Sequence, residues 1–269
     1  MKRNNKNSIQ GFYINNKWGQ LHGYKSGKDL ISKPPLLCFH LSPGSARMFN
    51  KFILEMGKDR VAIAVDTPGY GNSSPPDGPI KIEEYAGCLG EIIDNFKFDQ
   101  VDLFGSHTGS RLAVELAYMR PDKVRRLILH GAAVYTEKEL EKQKREFGPM
   151  PFDPEGMHIS QKWTGWAEWK KGDVSYEMVG RYVADSIRDF ERSWWAHKAV
   201  FEHDMNERLS SLEKKILVIC VNDDIRIPTL RAEKIIKNGK FLDRPQWSHW
   251  FLEVYTAEAS GIVREFLDK

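Results

Sequence analysis

The stretch LFGSHTGSRLAVELA, residues 103–117, decides the fold of this chain. A short apolar run enters a Gly-x-x-x-Gly turn at Gly105 and Gly109 and leaves it as a helical pattern rich in Ala and Leu. Such a sharp strand-to-helix turn needs small residues two places before and two places after its tip, because neighbouring backbone approaches closely there. The two glycines meet this need only if His107 is the tip.

The tip residue is unusual. In a nucleophile elbow a serine stands at the centre of this turn, but here Ser106 precedes the centre by one place. Centring the turn on Ser106 would put Phe104 and Thr108 at the small positions, and Phe104 is far too large. The spacing therefore predicts that His107 projects into a site, whereas Ser106 faces the side of the turn.

Short apolar runs and helical patterns alternate along most of the chain. Apolar runs without polar alternation suit strands that are covered on both faces. The predicted strands are 34–41, 60–66, 101–106, 124–131 and 214–221, after a hairpin over 12–26 that turns near Asn15 and Asn16. The predicted helices are 46–57, 82–96, 107–119, 229–237 and about 250–267. This alternation predicts an α/β fold with a mostly parallel, doubly wound sheet.

The segment 136–211 breaks the alternation. It contains no convincing strand, only charged and tryptophan-rich helical patterns. We expect a helical cap, or lid, over 136–211, inserted after the strand near 124–131, and a core formed by 1–135 and 212–269. Ligands of open α/β sheets bind at the carboxyl edge of the strands, so the cap is expected to cover the site.

Aromatic residues are frequent in the predicted cap. They are Trp163, Trp166 and Trp169, spaced three apart, and Trp194, Trp195 and Phe201. An aromatic stripe at helical spacing most often packs against the rest of the fold. Alternatively, some of these rings line the cavity and select a flat substrate. The expected partner is a small apolar or aromatic substrate.

Composition excludes several classes of function. The chain has 40 basic and 37 acidic residues, a net charge of +3, which gives no reason to expect nucleic acid as a partner. No apolar run approaches the roughly 18 residues that span a bilayer, so no membrane association is expected. Cys38, Cys88 and Cys220 lie in apolar segments, which indicates buried free thiols in a reducing cytoplasm. No phosphate-cradling glycine motif occurs, so no organic cofactor is expected.

Five blocks resemble, in order and spacing, the successive motifs of the α/β-hydrolase superfamily. They are FHLSPGSARMF (39–49), VDTPGYGNSSPP (65–76), LFGSHTGSRLAVELAYMRPDKVRRLIL (103–129), ILVICVNDDIRIP (216–228) and SHWFLE (248–253). The resemblance covers the predicted core nearly end to end and leaves out only the cap. Within the superfamily, the chain resembles a variant group with His-Thr-Gly at the elbow in place of the usual serine. The resemblance implies the α/β-hydrolase fold.

The resemblance implies a catalytic constellation of His107, Asp224 and His249. Asp224 occupies the place of the triad acid after the sixth core strand, with Asp223 as its rival, and His249 occupies the place of the triad histidine. Asp224 would hold the imidazole of His249 in one tautomer and leave its other nitrogen to act as a base. The alternative role for His249 is that of a packed aromatic residue.

The segment HLSPGS (40–45) takes the place of the superfamily's oxyanion loop. The resemblance implies that the backbone N–H groups of Ser42 and Thr108 stabilise an oxyanion. His40 matches the loop histidine, whose simplest role is structural, through hydrogen bonds to nearby backbone. His40 and Ser106 are the secondary candidates for contacts in the pocket.

A histidine at the elbow leaves four functions open. In the first, the chain hydrolyses an ester-like carbonyl bond, and His107 either attacks the carbonyl or helps His249 to aim a water molecule. Second is a cofactor-free lyase or isomerase, in which two imidazoles move a proton next to a carbonyl. Third is an inactive, ligand-binding relative. The fourth, a metal held by His40, His107, His249 and Asp224, matches no local ligand spacing, so no metal is expected. Hydrolysis is the predicted function.

Overall fold

An eight-stranded sheet organises the computed structural model, which describes residues 8–28 and 32–269. The strands are β1 Gln10–Asn16, β2 Gly19–Ser26, β3 Leu36–Phe39, β4 Ala62–Val65, β5 Val101–Ser106, β6 Val124–His130, β7 Lys215–Val221 and β8 Gly239–Arg244. Their spatial order is β1-β2-β4-β3-β5-β6-β7-β8. Strand β2 is antiparallel to β1 and β4, and every pairing from β4 to β8 is parallel. The predicted mostly parallel α/β sheet is confirmed.

Two details of the sheet differ from the sequence-based prediction. The hairpin turns at residues 17 and 18 rather than near Asn15 and Asn16, because Asn16 still pairs with Gly19 and its side chain accepts a hydrogen bond from the N–H of Trp18. Strand β8 was not predicted. Its sequence, GKFLDR, is half-buried or exposed throughout, since it lies at the edge of the sheet and lacks an apolar run.

Helices cover both faces of the sheet. They are α1 Asn50–Met56, α2 Ile82–Asn95, α3 Thr108–Met119, α4 Glu137–Glu146, α5 Met157–Glu168, α6 Tyr176–Arg188, α7 Trp195–Glu202, α8 Met205–Ser211, α9 Arg226–Leu230, α10 Phe251–Val254 and α11 Thr256–Asp268. The helix predicted over 46–57 begins as a 3-10 turn over Ala46–Phe49. The one predicted over 229–237 is instead α9 followed by a 3-10 turn over Arg231–Lys234. Within the described residues, no helix is both long and apolar enough to span a membrane.

The buried core has two layers because successive strand residues point to opposite faces. In β3, for example, Leu37 and Phe39 pack on the side of α2 and α3, whereas Leu36 and Cys38 pack on the side of α1 and α11. The three cysteines are buried and free.

The segment 136–211, which we call the helical insertion, joins β6 to β7. It contains α4 to α8 and no strand. The inner face of α6 is apolar, and Val179 and Tyr182 pack with Trp247 and Trp250. A polar contact adds to this packing, since the Ser45 hydroxyl donates to Asp185 of α6 over 2.7 Å. The insertion therefore lies over the loops at the carboxyl ends of the strands. The division of the chain into a core and a cap stays a prediction.

Candidate active site

The chain turns sharply at His107, between β5 and α3. His107 has φ 51° and ψ −109°, a left-handed conformation that is rare outside glycine. A Cβ at Gly105 would lie 2.2 Å from the carbonyl oxygen of Gly109, and one at Gly109 would lie 2.0 Å from that of Phe39. Neither glycine can carry a side chain there, which is why the turn requires both.

The imidazole of His107 is hydrogen-bonded to Asp223, the residue two places beyond β7. Its Nε2 lies 2.9 Å from Asp223 Oδ2, and the Asp223 side chain is buried. Burial of the ring opposes its charge, but the neighbouring Asp223 carboxylate outweighs that effect and raises the pKa of His107 above its ordinary value. The pair therefore favours a protonated, hydrogen-bond-donating His107.

A second buried histidine supports the same carboxylate. His130, the last residue of β6, places its Nε2 3.2 Å from Asp223 Oδ2, and its Nδ1 lies 2.8 Å from the Ser106 hydroxyl. Burial lowers the pKa of His130 to about 4, so its ring stays neutral and Nδ1 accepts the hydroxyl proton. Ser106 is fully buried and belongs to this supporting chain of hydrogen bonds.

His130 was not predicted from the sequence, and Asp223 was considered only as the rival of Asp224, not as the partner of His107. His130 reads as the end of an apolar strand, and its pairing with Ser106 across the β5–β6 ladder is a long-range contact. The available signal was a lone histidine closing an apolar strand just before a glycine. A buried polar side chain at such a position needs a partner.

Asp224 pairs with the other predicted histidine. Its Oδ1 lies 2.9 Å from His249 Nε2, so that N–H donates to the carboxylate. The opposite ring nitrogen, Nδ1 of His249, is buried without a partner among the described residues. Asp224 keeps 55% of its side chain exposed. Both aspartates are thus used, one for each histidine.

The two histidine rings lie in contact. The ring centroids of His107 and His249 are 5.3 Å apart with the planes tilted by 43°. In the part of the chain that the structure describes, the two rings share no hydrogen bond, and the His107 ring is hydrogen-bonded through Nε2 and not through Nδ1. The site therefore offers two unpartnered imidazole nitrogens, one on each ring.

Gly131 makes room for the elbow histidine. It directly follows β6 with φ +71°, and a Cβ there would lie 2.8 Å from Cδ2 of His107 and 2.6 Å from the side chain of Ile225. A larger residue would push the His107 ring away from Asp223. Sequence reasoning did not single out Gly131.

The loop after β3 presents free backbone donors. Among the described residues, the N–H groups of Ser42 and Thr108 donate to no acceptor, and the Ser42 hydroxyl is buried without a partner. His40, in contrast, is turned into the fold. Its Nδ1–H donates to the Leu41 carbonyl over 2.6 Å, and its Nε2 accepts from the N–H of Thr67 over 3.0 Å. His40 therefore has both nitrogens occupied and lies outside the histidine cluster.

Part of the tryptophan stripe reaches the site. Trp166 and Trp169 of the helical insertion meet His249 edge-to-face at ring-centroid distances of 5.4 and 5.5 Å. Trp163 instead stacks on Tyr176 and is 41% exposed. The two inner rings form an apolar wall against His249, whereas Trp163 belongs to the outer surface.

Three side chains have the geometry to hold a metal ion. His107, Asp223 and His249 each offer a ligand atom, and these atoms all lie within 4.8 Å of one another. This set differs from the one considered from the sequence, since His40 is occupied elsewhere and Asp223 takes the place of Asp224. A separate groove of about 500 Å³ lies outside, between α1 and α6. It contains none of these residues and has no evident part in the site.

Comparisons with known proteins agree with this architecture. Residues 34–254 match the family model described as the alpha/beta hydrolase fold. The chain is 34% identical over 248 residues to 2-hydroxymuconate semialdehyde hydrolase from Pseudomonas sp. strain CF600. The aligned region covers 87% of this chain and 86% of that protein. The chain is 26% identical over 222 residues to 2-hydroxy-6-oxo-2,4-heptadienoate hydrolase from Pseudomonas putida, covering 78% of each.

A solved structure shares the fold. The enol-lactonase from Burkholderia xenovorans LB400 superposes with a TM-score of 0.81 at 18% identity, over 96% of this chain and 100% of that chain. The predicted α/β-hydrolase fold is confirmed. We conclude that this chain belongs to the α/β-hydrolase superfamily and is an enzyme of that superfamily.

Proposed function

We propose that the chain hydrolyses an ester-like carbonyl bond in a small, largely apolar substrate. One observation carries the proposal: two aspartate–histidine pairs, Asp223–His107 and Asp224–His249, meet at an elbow, and two backbone N–H groups, one at the elbow and one in the loop after β3, are free within the described residues. Bases beside oxyanion donors are what acyl transfer to water requires. The chain is proposed to represent a variant group with His-Thr-Gly at the elbow.

His249 is the proposed general base. Its Nε2–H donates to Asp224, which fixes the tautomer and leaves the lone pair on Nδ1. Nδ1 is buried and has no partner among the described residues, so a bound water would be its natural donor. The proton of that water passes to Nδ1 as its oxygen attacks the carbonyl carbon.

His107 is the proposed partner for the leaving group. The negative charge of Asp223 raises its pKa against the effect of burial, so the ring carries a proton more readily than an ordinary histidine. A protonated ring is a poor nucleophile but a good acid. We therefore favour attack by water over a covalent acyl-imidazole, with His107 returning a proton to the departing oxygen.

The proposed oxyanion donors are the N–H groups of Ser42 and Thr108. Both are free within the described residues, and Thr108 opens α3, where the helix dipole also favours negative charge. Donors already in place before reaction commonly supply the largest single part of transition-state stabilisation.

The substrate is proposed to bind beneath the helical insertion, which we take to be a cap. Trp166 and Trp169 give this side of the cavity an aromatic wall, which supports an apolar or flat acyl group. Three buried free cysteines support a reducing, cytoplasmic setting.

A second candidate is hydrolysis of a carbon–carbon bond next to a carbonyl. The relative that is 34% identical carries the name 2-hydroxymuconate semialdehyde hydrolase, which favours this candidate. The same residues suffice, because cleavage of such a bond also needs an attacking water, an oxyanion site and an acid that protonates the departing carbon.

The test is a substrate panel with matched variants. Short aryl and alkyl esters and 2-hydroxymuconate semialdehyde are assayed with the unaltered chain and with H107Q, H249Q and H158Q. His158 packs against Phe152 and Phe190 in the helical insertion, so it serves as the control. We expect H107Q and H249Q each to lose roughly 100-fold or more in kcat/KM, and H158Q to keep full activity.

Other outcomes separate the alternatives. Full turnover by H107Q would exclude a chemical role for that ring. Exchange of a substrate proton with deuterated water, without bond cleavage, would favour an isomerase or lyase. Tight binding of a small apolar ligand with no turnover of any substrate would favour a ligand-binding relative.

A further inference from the structure

Three side chains from separate loops converge at the elbow with the donor set of a metal site. His107 comes from the β5–α3 turn, Asp223 from the segment after β7, and His249 from the segment after β8. One ligand atom from each lies within 4.8 Å of the others, and the Asp223 and His249 side chains are buried. Two imidazoles and one carboxylate are the ligands of many catalytic metal centres.

The nitrogen Nδ1 of His249 is a second, independent sign of a ligand. His249 is 3% exposed, and Nδ1 is buried with no hydrogen-bond partner in the described part of the chain. A buried polar atom without a partner is rare, because it forfeits its interaction with water. A cation bound at Nδ1 would satisfy it.

The surroundings of these side chains also match a metal site. Histidines that bind metals almost always donate their other N–H to a carboxylate or carbonyl, and His249 Nε2–H donates to Asp224. Asp223 is held in turn by His130, whose second nitrogen bonds the Ser106 hydroxyl. The buried His130–Ser106 pair has no chemical step in the proposed hydrolysis, but it fixes the carboxylate that would bind the ion.

The distances between the three ligand atoms suit a small cation if the ligands move slightly closer together. Two ligands that each lie about 2.1 Å from an ion are at most about 4.2 Å apart, against the upper separation of 4.8 Å found here. His107 and Asp223 are already 2.9 Å apart and share a proton that an ion would replace. Nitrogen-rich ligands favour a divalent transition metal over magnesium or calcium.

We propose that His107, Asp223 and His249 form a binding site for one divalent transition-metal ion, such as zinc. Three protein ligands leave at least one coordination position for water, the pattern of catalytic sites. The proposal goes beyond the proposed function, because the ion would take the ring nitrogens that act as base and acid in the ion-free hydrolysis, and the ion itself would then activate the attacking water.

The experiment measures binding directly. The full chain is stripped with a chelator, dialysed, and titrated with Zn²⁺ by calorimetry and with Co²⁺ by visible absorption. We expect one ion per chain and at least 100-fold weaker binding in H107A and H249A. D224N is expected to bind 10- to 100-fold more weakly, because it alters only the partner of a ligand. H158A, which removes a histidine that contacts Phe152 and Phe190 and is not one of the three proposed ligands, is expected to bind normally.

X-ray absorption of the zinc-loaded, unaltered chain keeps the test valid if a variant fails to fold. We expect two imidazole nitrogens and a carboxylate oxygen at about 2.0–2.2 Å from the ion. The proposal is overturned if no saturable binding occurs, if H107A and H249A bind as tightly as the unaltered chain, or if the ion has no imidazole ligands. Turnover is measured on the chelator-stripped chain, which holds no ion. Binding of Zn²⁺ by a stripped chain that turns over no substrate supports the site and refutes the proposed function, turnover by the stripped chain without any Zn²⁺ binding does the reverse, and both together support both proposals.

Discussion

His107 and His249 lie with their ring centroids 5.3 Å apart, yet each ring is hydrogen-bonded to its own aspartate. The aspartates are consecutive residues, Asp223 and Asp224. In a Ser-His-Asp triad a single imidazole takes and returns the proton while the aspartate stays ionised, whereas here two aspartate–histidine pairs lie side by side. This arrangement lets one ring take a proton while the other gives one.

Removing the charge of Asp223 should change the acidity of the elbow histidine. Asp223 raises the pKa of His107, so D223N should lower that pKa. Because His107 is proposed to act as the acid, the basic limb of the kcat/KM profile should then move to lower pH. We expect a loss of roughly 100-fold in kcat, because the ring also loses its orientation. NMR titration of His107 and the pH profile measure both effects. D243N, which alters an ion pair with Arg226 at the exposed β8 edge, is the control, and an unmoved His107 titration in D223N would contradict the prediction.

Acid should destabilise the chain partly through His130. Burial lowers its folded pKa to about 4, below the ordinary 6.5, so the unfolded chain binds more protons between these values. Stability is therefore present above pH 6.5 and is lost as the pH falls toward 4, by roughly 2 kcal/mol from this group between pH 6.5 and 5. Urea unfolding at both pH values should show a smaller acid loss in H130Q than in the unaltered chain. Equal losses would show that His130 does not titrate in this way.

A methyl group at Gly131 should displace the His107 ring. G131A places a Cβ 2.8 Å from that ring, at a residue with φ +71°. We expect a cost of about 1–3 kcal/mol in the free energy of unfolding and a loss of at least 10-fold in kcat, because Nε2 of His107 is moved from Asp223. G165A in α5 meets no atom within 4 Å and should leave activity intact. Chemical unfolding and steady-state kinetics compare the two, and equal kcat values would contradict the steric argument.

The serine beside the elbow should not act as a nucleophile. Ser106 is fully buried and donates to His130 Nδ1, so S106A should cost about 1–3 kcal/mol of stability by leaving that nitrogen unpaired. Its kcat should fall far less than that of H107Q. Phenylmethylsulfonyl fluoride should not inactivate the enzyme. Inactivation accompanied by a covalent label on Ser106 would show that this residue reaches the substrate.

Most of the fold follows from local patterns. The glycine spacing around His107 fixes the elbow because a Cβ at either position would strike backbone, and apolar runs mark the central strands because both their faces are covered. Strand β8 escaped prediction because an edge strand needs no apolar run. The tryptophan stripe divides between the interior and the surface, since Trp166 contacts His249 whereas Trp163, one turn away, is 41% exposed.

The site was predictable only in part. His107, Asp224 and His249 occupy positions marked by motifs, and they lie together at the carboxyl edge of the sheet. The role of Asp223 depends on which way two adjacent side chains point, which the spacing of motifs does not determine. His130 takes part in the hydrogen-bonded support of the site because it lies opposite Ser106 on the neighbouring strand. Such lateral contacts arise from the sheet and leave no local pattern.

The adjacency of Asp223 and Asp224 gives this site a recognisable signature. A chain with serine at the elbow tip needs only one of the two carboxylates, whereas a second imidazole requires both and also a residue without a side chain at position 131. Chains that share the histidine tip should therefore share the aspartate doublet and the glycine as a set. Replacement of one aspartate alone would leave a histidine without its carboxylate, and replacement of His107 alone would leave Asp223 without that histidine. A side chain in place of the glycine would leave too little room for the His107 ring.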